Sequence, residues 1–403
     1  MFTNLSKSLP AKEFTMTMQV NTRRRSWRRI ADSRLLNALA APNGMGRYLE
    51  ALNPMWALDQ DRLPAKVIAV RHPTADSVSV AVRANGEWLN YRAGQFIQVF
   101  VRIDGRQYSR SYSLSRAPES GVLQITVKAQ DQGLVSQYLN SGIAPGDIIY
   151  ISQAQGDFIL PIQLPKAILL IAAGSGITPI FAMLESLFAQ DYRGGITLLY
   201  YNRSRASSIF RNELQGLAKR HPNFSLLEVF SQSELNPDEN IPGQHSACIG
   251  HFSENHLLHA LTINNTLSQH TAAIMLPQTY VCGPAQLIDS VTSQYQSMSH
   301  ADKLHSERFG LAIPAANKDS VGGKIQFSRS AVLISSDGRT LLEQAEASGL
   351  QAQFGCRMGI CHRCSCQKTS GSVRNISSGE ISHGEEYIRL CISQPIGPVE
   401  LTL

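Results

Sequence analysis

The spacing of apolar and polar positions changes along the chain, and residues 61–162 form the first distinct stretch. In it, short runs rich in β-branched or alternating apolar residues are separated by glycine, proline and an Asn-Gly pair. These runs are Ala65–Val70, Ser77–Val82, Gln95–Val101, Gln124–Lys128 and Asp147–Ser152. Many short strands at this spacing predict a small antiparallel β-barrel.

Residues 163–312 follow a different pattern, in which apolar runs alternate with helical stretches. The run Ala167–Ala173 contains no polar residue, as strands buried on both faces of a parallel sheet require. A glycine turn and a helix follow it, and further strands are predicted at Ile196–Tyr201, Phe224–Phe230 and Thr279–Cys282. This alternation predicts a doubly wound α/β domain.

A third unit is predicted over residues 324–403, after an aperiodic linker at 313–323 that is rich in small and polar residues. Two short strands, one helix, a cysteine-rich loop and a final strand make up this unit. The predicted elements are Lys324–Phe327, Ala331–Ile334, Leu341–Ser348 and Val399–Leu403.

Residues 1–60 differ from the rest because a cluster of five arginines surrounds Trp27. These arginines are Arg23, Arg24, Arg25, Arg28 and Arg29. Short helical patterns follow the cluster. A solvated basic arm and a segment that contacts a partner or a membrane surface both fit this pattern.

Length and charge narrow the class of protein. A chain of 403 residues is too long for one hydrophobic core, which agrees with three domains. The net charge of +6 is mild, and no nucleic-acid partner is predicted. No signal-peptide pattern or bilayer-length apolar run occurs, so we predict a cytoplasmic protein that residues 1–60 could bring to a membrane.

Four of the seven cysteines crowd into residues 356–366, which favours a metal site over a disulfide framework. The spacing Cys356-x4-Cys361-x2-Cys364, with Cys391 as a distant fourth ligand, is that of plant-type 2Fe–2S proteins. Four soft thiolates are the donors that such a cluster needs. Zinc is the alternative, but it prefers two paired short spacings and only Cys361 and Cys364 form one.

A candidate flavin site is the tetrad Arg110-Ser111-Tyr112-Ser113 at the end of a barrel strand. A flavin needs an aromatic face, a polar group at its reactive N5 and a cation for its phosphates. Residues two apart on a strand share a face, so one strand can supply these groups. The alternative is an exposed strand on which Arg and Tyr merely alternate.

A candidate nucleotide site is Gly174-Ser175-Gly176-Ile177-Thr178-Pro179, directly after the first buried strand. Glycines let the backbone approach a pyrophosphate, and a helix N-terminus attracts it. A tight turn without a ligand is the alternative. The next strand ends without an acidic residue, and Arg203, Arg205 and Arg211 are available for a 2′-phosphate. This favours NADPH over NADH, although these arginines could simply lie on the surface.

These motifs together resemble known families. The segments Thr340–Glu343, Phe354–Cys361 and Leu390–Ser393 resemble plant-type ferredoxins. The flavin tetrad, the glycine turn and two further segments resemble the ferredoxin–NADP reductase superfamily. Those further segments are Gly133-Leu134-Val135-Ser136 and Tyr280-Val281-Cys282-Gly283-Pro284. The resemblance covers about residues 61–403 and implies a flavin β-barrel, a doubly wound nucleotide domain and an α+β β-grasp ferredoxin domain.

The resemblance also implies roles for individual residues. Arg110 would bind the flavin pyrophosphate, Tyr112 would stack on the isoalloxazine and Ser113 would approach N5, while Cys282 would lie beside the reacting nicotinamide carbon. The second motif favours FAD over FMN. The remaining implied cofactor-binding residues are Gly133, Leu134, Val135, Ser136, Gly174, Gly176, Thr178, Pro179, Gly283 and Pro284.

The electron acceptor is predicted from domain order and from one short segment. Barrel, nucleotide domain and ferredoxin follow one another as in reductases that serve oxygenases and desaturases. Leu52-Asn53-Pro54-Met55-Trp56 resembles bacterial reductases paired with membrane fatty acid desaturases. Alternatives are a reductase for a ring-hydroxylating oxygenase or for hybrid cluster protein, and a non-enzymatic redox-sensing protein. The nicotinamide site argues against a sensor, which needs no hydride donor.

Overall fold

The fold is given by a computed structural model. It describes residues 52–56, 62–103, 105–131, 133–232, 245–267, 276–309, 321–350, 352–354, 359, 363–376 and 379–403. The arginine cluster around Trp27, residues 313–320 of the predicted linker, and Cys356 and Cys361 lie outside the described residues. Among the residues described, no helix is both long and apolar enough to cross a membrane.

The first domain is a six-stranded antiparallel barrel with one helix. Its elements are β1 Leu63–Thr74, β2 Ser77–Ala84, β3 Phe96–Ile103, β4 Arg106–Ser113, β5 Leu123–Lys128, α1 Leu134–Ser141 and β6 Ile148–Ile151. The strand order is β4-β3-β6-β1-β2-β5, and a bridge from Leu114 to Ile125 joins the two edges. Its core contains Val78, Val80 and Val99.

The second domain is a parallel six-stranded sheet covered by helices, which confirms the predicted doubly wound fold. Its elements are β7 Ala167–Ala173, α2 Ile177–Ala189, β8 Gly195–Asn202, α3 Arg211–Arg220, β9 Phe224–Phe230, β10 His245–Ile249, α4 Glu254–Leu267, β11 Gln278–Gly283, α5 Ala285–Ser297 and β12 Leu304–Arg308. The edge strands β10 and β12 were not predicted, because they are short and lack a continuous apolar run.

The topology of this sheet places a crevice beside the glycine turn. The strand order is β10-β9-β8-β7-β11-β12, so the chain winds outward from β7 in one direction and then crosses to β11. Ligands of open α/β sheets bind at such a switch point, outside the carboxyl ends of the strands. Here those ends are Gly174–Gly176 after β7 and Cys282-Gly283 on β11.

The third domain is a mixed sheet with one helix, as expected of a β-grasp fold. Its elements are β13 Val321–Phe327, β14 Val332–Asp337, α6 Leu341–Ala347, β15 Ser365–Asn375, β16 Ile381–His383, β17 Glu386–Arg389 and β18 Ser393–Leu401. The strands β13 and β18 pair in parallel at the centre. A capping box between Thr340 and Glu343 begins α6. β18 starts six residues earlier than predicted, because two prolines and a glycine obscure its pattern.

Candidate functional site

The flavin tetrad lies at the end of β4, paired with β3 along its length. Arg110 is exposed and its Nη1 donates a hydrogen bond to the carbonyl of Ser109 at 2.8 Å. Tyr112 is half-buried against the barrel core, and this burial raises the pKa of its phenol, so the ring stays neutral. The hydroxyl of Ser111 is buried and has no partner among the described residues. An exposed cation, an aromatic face and an unpartnered hydroxyl are groups that fit a flavin.

Gly133 starts helix α1 where only a glycine fits without movement. A Cβ on Gly133 would lie 2.4 Å from Ser136 Oγ. That hydroxyl donates to the carbonyl of Gly133 at 2.8 Å and accepts from the backbone N–H of Gln130 at 3.1 Å. Val135 is buried and Leu134 is exposed. The helix therefore begins at a tight turn that has no side chain at Gly133, and its first N–H groups suit a phosphate.

The glycine turn after β7 approaches the end of β11 so closely that a side chain is excluded. Gly174 has a left-handed φ of 53°, and a Cβ on Gly176 would lie 2.2 Å from the carbonyl oxygen of Cys282. Thr178 is buried and its hydroxyl donates to the carbonyl of Ser175 at 3.0 Å, while Pro179 is buried in the first turn of α2. This bare turn at a helix N-terminus is suited to a pyrophosphate.

The barrel and the nucleotide domain meet at a small polar cluster. Cys282 on β11 and Glu307 on β12 are register partners, and the hydroxyl of Ser113 donates to Glu307 Oε2 at 3.4 Å. Cys282 is fully buried; burial, together with the Glu307 carboxyl, raises the pKa of its thiol. The structure thus brings Ser113 and Cys282, which come from separate motifs, to one place.

Glu307 belongs to this cluster and was missed from the sequence. Burial raises its pKa to about 8, an effect that the hydrogen bond from Ser113 partly offsets. A carboxyl group in this state holds its proton near neutral pH. Its strand, Leu304–Arg308, alternates no apolar residues, so neither the strand nor the direction of the side chain could be inferred. The available signal was weak: Glu307 is the only acidic residue of Leu304–Arg308, and it follows Pro284 of the Cys-Gly-Pro motif by 23 residues.

The raised pKa of Glu307 predicts how stability depends on pH. The folded state holds this proton more tightly than the unfolded state, so its contribution to stability falls as pH rises from about 4.5 to about 8. The slope is at most about 1.4 kcal/mol per pH unit. We expect Glu307→Gln to remove this loss, so that the variant gains in thermal midpoint over the wild type between pH 5 and pH 8.

The matched control for this prediction is Asp302→Asn, which replaces an exposed carboxylate of the same domain. Its thermal midpoint should follow that of the wild type at every pH. A Glu307→Gln variant whose difference from the wild type is the same at pH 5 and pH 8 would show that Glu307 ionises like an exposed carboxyl.

The three arginines proposed for a 2′-phosphate lie in different surroundings. Arg203 is exposed, and the guanidinium of Arg205 lies 5.9 Å from the ring centroid of Phe230. Arg211 is bound elsewhere, because its Nε donates to both carboxylate oxygens of buried Glu228 at 3.0 and 3.2 Å. The proposal for a 2′-phosphate therefore rests mainly on Arg203 and Arg205.

Two of the four predicted cluster ligands can be described, and their sulfurs converge. Cys364 and Cys391 are buried in the core of the third domain with their Sγ atoms 3.1 Å apart. The N–H of Leu390 donates to the carbonyl of Cys364 at 3.0 Å, and the guanidinium of Arg389 donates to the carbonyl of Gly359. Two buried thiols held together in this way fit the donor set of a 2Fe–2S cluster.

Cys366, which was not predicted as a ligand, is buried in the same core as this pair. It is buried two residues further along β15, and its Sγ lies 3.7 Å from the carbonyl oxygen of Gln367. Burial raises the pKa of its thiol.

Family models assign all three domains in the order of the fold. Residues 68–159 match the oxidoreductase FAD-binding domain, residues 170–293 match the oxidoreductase NAD-binding domain, and residues 327–395 match the 2Fe-2S iron-sulfur cluster binding domain. The cofactors FAD, a nicotinamide nucleotide and a 2Fe–2S cluster, predicted from the motifs, are thereby confirmed.

Whole-chain relatives are similar over nearly their full length. An NADPH oxidoreductase of Mycobacterium tuberculosis is 30% identical over 364 residues, which are 88% of each chain. One of the subunits of the 1,2-phenylacetyl-CoA epoxidase of Escherichia coli is 27% identical over 82% of this chain and 94% of that protein. Among solved structures, phthalate dioxygenase reductase shares the fold with a TM-score of 0.56, at 20% identity over 85% of this chain and 98% of that chain.

These relatives and the three domains agree with the geometry of the site. The FAD-binding, NAD-binding and 2Fe–2S domains follow one another in the order that the motifs predicted. The chain therefore belongs to the ferredoxin–NADP reductase superfamily, among the NAD(P)H oxidoreductases that carry FAD and a C-terminal 2Fe–2S domain.

Proposed function

We propose that this oxidoreductase takes electrons from NADPH and delivers them to a membrane-bound fatty acid desaturase. The observation that supports electron transfer from NADPH is that Ser113, Cys282 and Glu307 lie together where the barrel faces the nucleotide turn. FAD accepts the two electrons of a hydride together, and a 2Fe–2S cluster passes them on one at a time. The identity of the acceptor as a desaturase is the more specific part of this proposal.

The described residues take complementary roles in this proposal. Arg110 and the Gly133–Ser136 turn bind the flavin phosphates, and Tyr112 covers one face of the ring. Cys282, buried and neutral, packs beside the nicotinamide with Gly283 and Pro284, and Ser113 orients the flavin edge. The glycine turn with Thr178 and Pro179 binds the nucleotide pyrophosphate.

The preference for NADPH is tested at Arg205. Arg205 follows β8, the second strand of the nucleotide domain, and its guanidinium lies against the ring of Phe230 on β9. An acidic residue in the place of Arg205 would repel a 2′-phosphate. We expect Arg205→Ala to lower kcat/KM for NADPH about tenfold, the cost of a lost charge-assisted hydrogen bond of about 1.5 kcal/mol, and to leave NADH unaffected. Steady-state rates with both nucleotides measure this.

Arg220→Ala is the control, because Arg220 is an exposed arginine at the far end of α3. It should leave both nucleotides unchanged. A wild-type protein that prefers NADH would contradict the proposed preference and leave Arg203 and Arg205 as surface residues.

Two exposed apolar side chains support a membrane-bound acceptor. The short turn Pro54–Trp56 is tied by Asn53, whose side chain accepts from the N–H of Met55 at 2.9 Å, and it leaves Leu52 and Trp56 77% and 49% exposed. Two large exposed apolar side chains, together with the arginines at positions 23–29 of the sequence, suit an anionic membrane interface.

A soluble oxygenase is the second candidate acceptor. Relatives of this chain include reductase components of 3-ketosteroid-9-alpha-monooxygenase, 27% identical over 76% of this chain, and of stachydrine N-demethylase, 27% identical over 79% of it. Such reductases work without a membrane contact if their oxygenase is soluble, so the role of residues 1–30 separates the two candidates.

Deleting residues 1–30 tests the acceptor. Each basic residue near an anionic surface contributes about 1 kcal/mol, screened by salt. We expect the truncated protein to reduce cytochrome c at the full rate and to support a vesicle-embedded desaturase much more slowly, most of all at low ionic strength. Equal desaturation at every salt concentration would remove the proposed membrane role of this segment. Turnover with a soluble ring-hydroxylating oxygenase, and none with the desaturase, would favour the second candidate.

A further inference from the structure

Arg116 connects the flavin strand to the nucleotide-binding helix. It follows Ser113 by three residues, in the loop after β4. Its Nη1 donates to Glu185 Oε1 at 2.5 Å, and Glu185 Oε2 accepts from the backbone N–H of Ala117 at 3.0 Å. Glu185 lies on α2, the helix that begins at the glycine turn. Both oxygens of this carboxylate are thus bound by the barrel.

The same guanidinium also contacts the segment that follows the second nucleotide strand. It lies 5.4 Å from the ring centroid of Phe181 and 6.0 Å from that of Phe210, and the two rings are stacked at 4.3 Å. Phe210 has a φ of 60°, a left-handed conformation that is strained for a bulky residue. Arg116 therefore meets the helix of the pyrophosphate turn and the segment of the proposed 2′-phosphate site at one point.

Neighbouring hydrogen bonds hold both sides of this junction. The hydroxyl of Tyr91 donates to the carbonyl of Arg116 at 3.0 Å. One helical position beyond Glu185, the hydroxyl of Ser186 donates to Glu119 Oε1 at 3.0 Å. The barrel loop therefore forms hydrogen bonds to two consecutive residues of α2, Glu185 and Ser186.

The ion pair between Arg116 and Glu185 contributes little to the stability of the protein. The side chains of Arg116 and Glu185 are 26% and 21% exposed, and such pairs and cation–π contacts contribute about 1 kcal/mol each. The barrel and nucleotide domain already share a hydrophobic cluster that includes Phe158, Leu160 and Ile168. Cohesion of the two domains therefore does not depend on Arg116 alone.

We propose that Arg116 is a positioning residue for hydride transfer, which aligns the nucleotide on α2 with the flavin on β4 through Glu185, Phe181 and Phe210. This inference rests on the proposed roles of the flavin tetrad and the glycine turn. Hydride transfer demands a donor and acceptor in contact, and a misplacement of 1 Å can cost about 100-fold in rate. The contacts of Arg116, which join α2 to the loop after β4, set that distance.

The test follows FAD reduction by saturating NADPH in stopped-flow experiments with the full-length holoprotein. We expect Arg116→Ala to slow it about tenfold or more, with FAD content and the Kd for NADP⁺ within about threefold of the wild type. The change in flavin absorbance on NADP⁺ binding should shrink, because the nicotinamide no longer lies over the flavin. Glu185→Gln should act in the same direction, and Arg116→Lys should recover part of the rate.

Arg193→Ala is the matched control, since Arg193 pairs with Asp191 in the same domain while both side chains are almost fully exposed. It should leave the rate and the absorbance change as they are. Wild-type rates in Arg116→Ala and Glu185→Gln, even with lowered thermal midpoints, would overturn the inference. If Arg116→Ala loses FAD, wild-type rates in Arg116→Lys and Glu185→Gln overturn it equally. A wild type that neither NADPH nor NADH reduces would instead overturn the proposed function.

Discussion

Cys391→Ser is expected to remove the 2Fe–2S cluster while the flavin half of the protein continues to work. Cys391 is 1% exposed and its sulfur lies 3.1 Å from that of Cys364, which places it among the predicted cluster ligands. A serine hydroxyl is a hard, protonated donor and a poor ligand for iron. The barrel and nucleotide domain have their own hydrophobic cores, so FAD binding and its reduction by NADPH should persist.

Iron, labile sulfide and visible absorbance measure the cluster, and ferricyanide and cytochrome c reduction measure electron flow. We expect Cys391→Ser to lose iron and sulfide completely, to keep ferricyanide reduction and to lose nearly all delivery to a protein acceptor. Cys366→Ser is the control, because Cys366 is a buried cysteine of the same domain that is not among the four predicted ligands. Full iron content in Cys391→Ser, or loss of iron in Cys366→Ser, would show that the ligand set is wrong. One zinc and no sulfide in the wild type would exclude the cluster altogether.

The sequence predicted those parts of the fold in which each strand carries its own pattern. β7 was predicted with its observed ends, because a strand buried on both faces is a continuous apolar run between polar turns. β9 was also predicted with its observed ends, although Ser225 and Glu228 interrupt its apolar residues. β10 and β12 lie at the edges of the sheet, where one side faces solvent and a few hydrogen bonds to a neighbour suffice. Their existence depends on that neighbour, which a local pattern does not contain.

The residues of the candidate site also fall into those that a local pattern indicates and those that it does not. The glycine turn and the flavin tetrad are short motifs in which the chemistry requires neighbouring residues, so sequence alone could indicate them. Glu307 meets Ser113 across 194 positions and Arg116 meets Glu185 across 69. Ordinary charged residues of this kind carry no motif. Their roles come from the way in which two domains pack, and that packing was available only from the structure.

Gly176→Ala is expected to have the largest effect on nucleotide-driven reduction of the flavin. The φ of Gly176 is −60°, which alanine adopts readily, so the backbone conformation is no obstacle. The obstacle is the carbonyl oxygen of Cys282, which lies 2.2 Å from the position of the new Cβ, with the Cα of Gly283 at 2.9 Å. Both obstructing atoms belong to the backbone of β11, so the turn and the strand end must separate.

That separation moves the pyrophosphate turn away from the strand end that carries Cys282. Because displacements of about 1 Å can cost about 100-fold in rate, we expect FAD reduction by NADPH and by NADH to fall by about that factor. FAD content and reduction by dithionite should stay unchanged, since α1 and β4 belong to the barrel. Gly216→Ala is the control: on α3 its Cβ would meet only Arg220 Nη1 at 3.6 Å, and the helix should gain about 0.5–1 kcal/mol. Wild-type reduction rates in Gly176→Ala would show that the turn tolerates a methyl group, and the close approach to Cys282 would then not be what places the nucleotide.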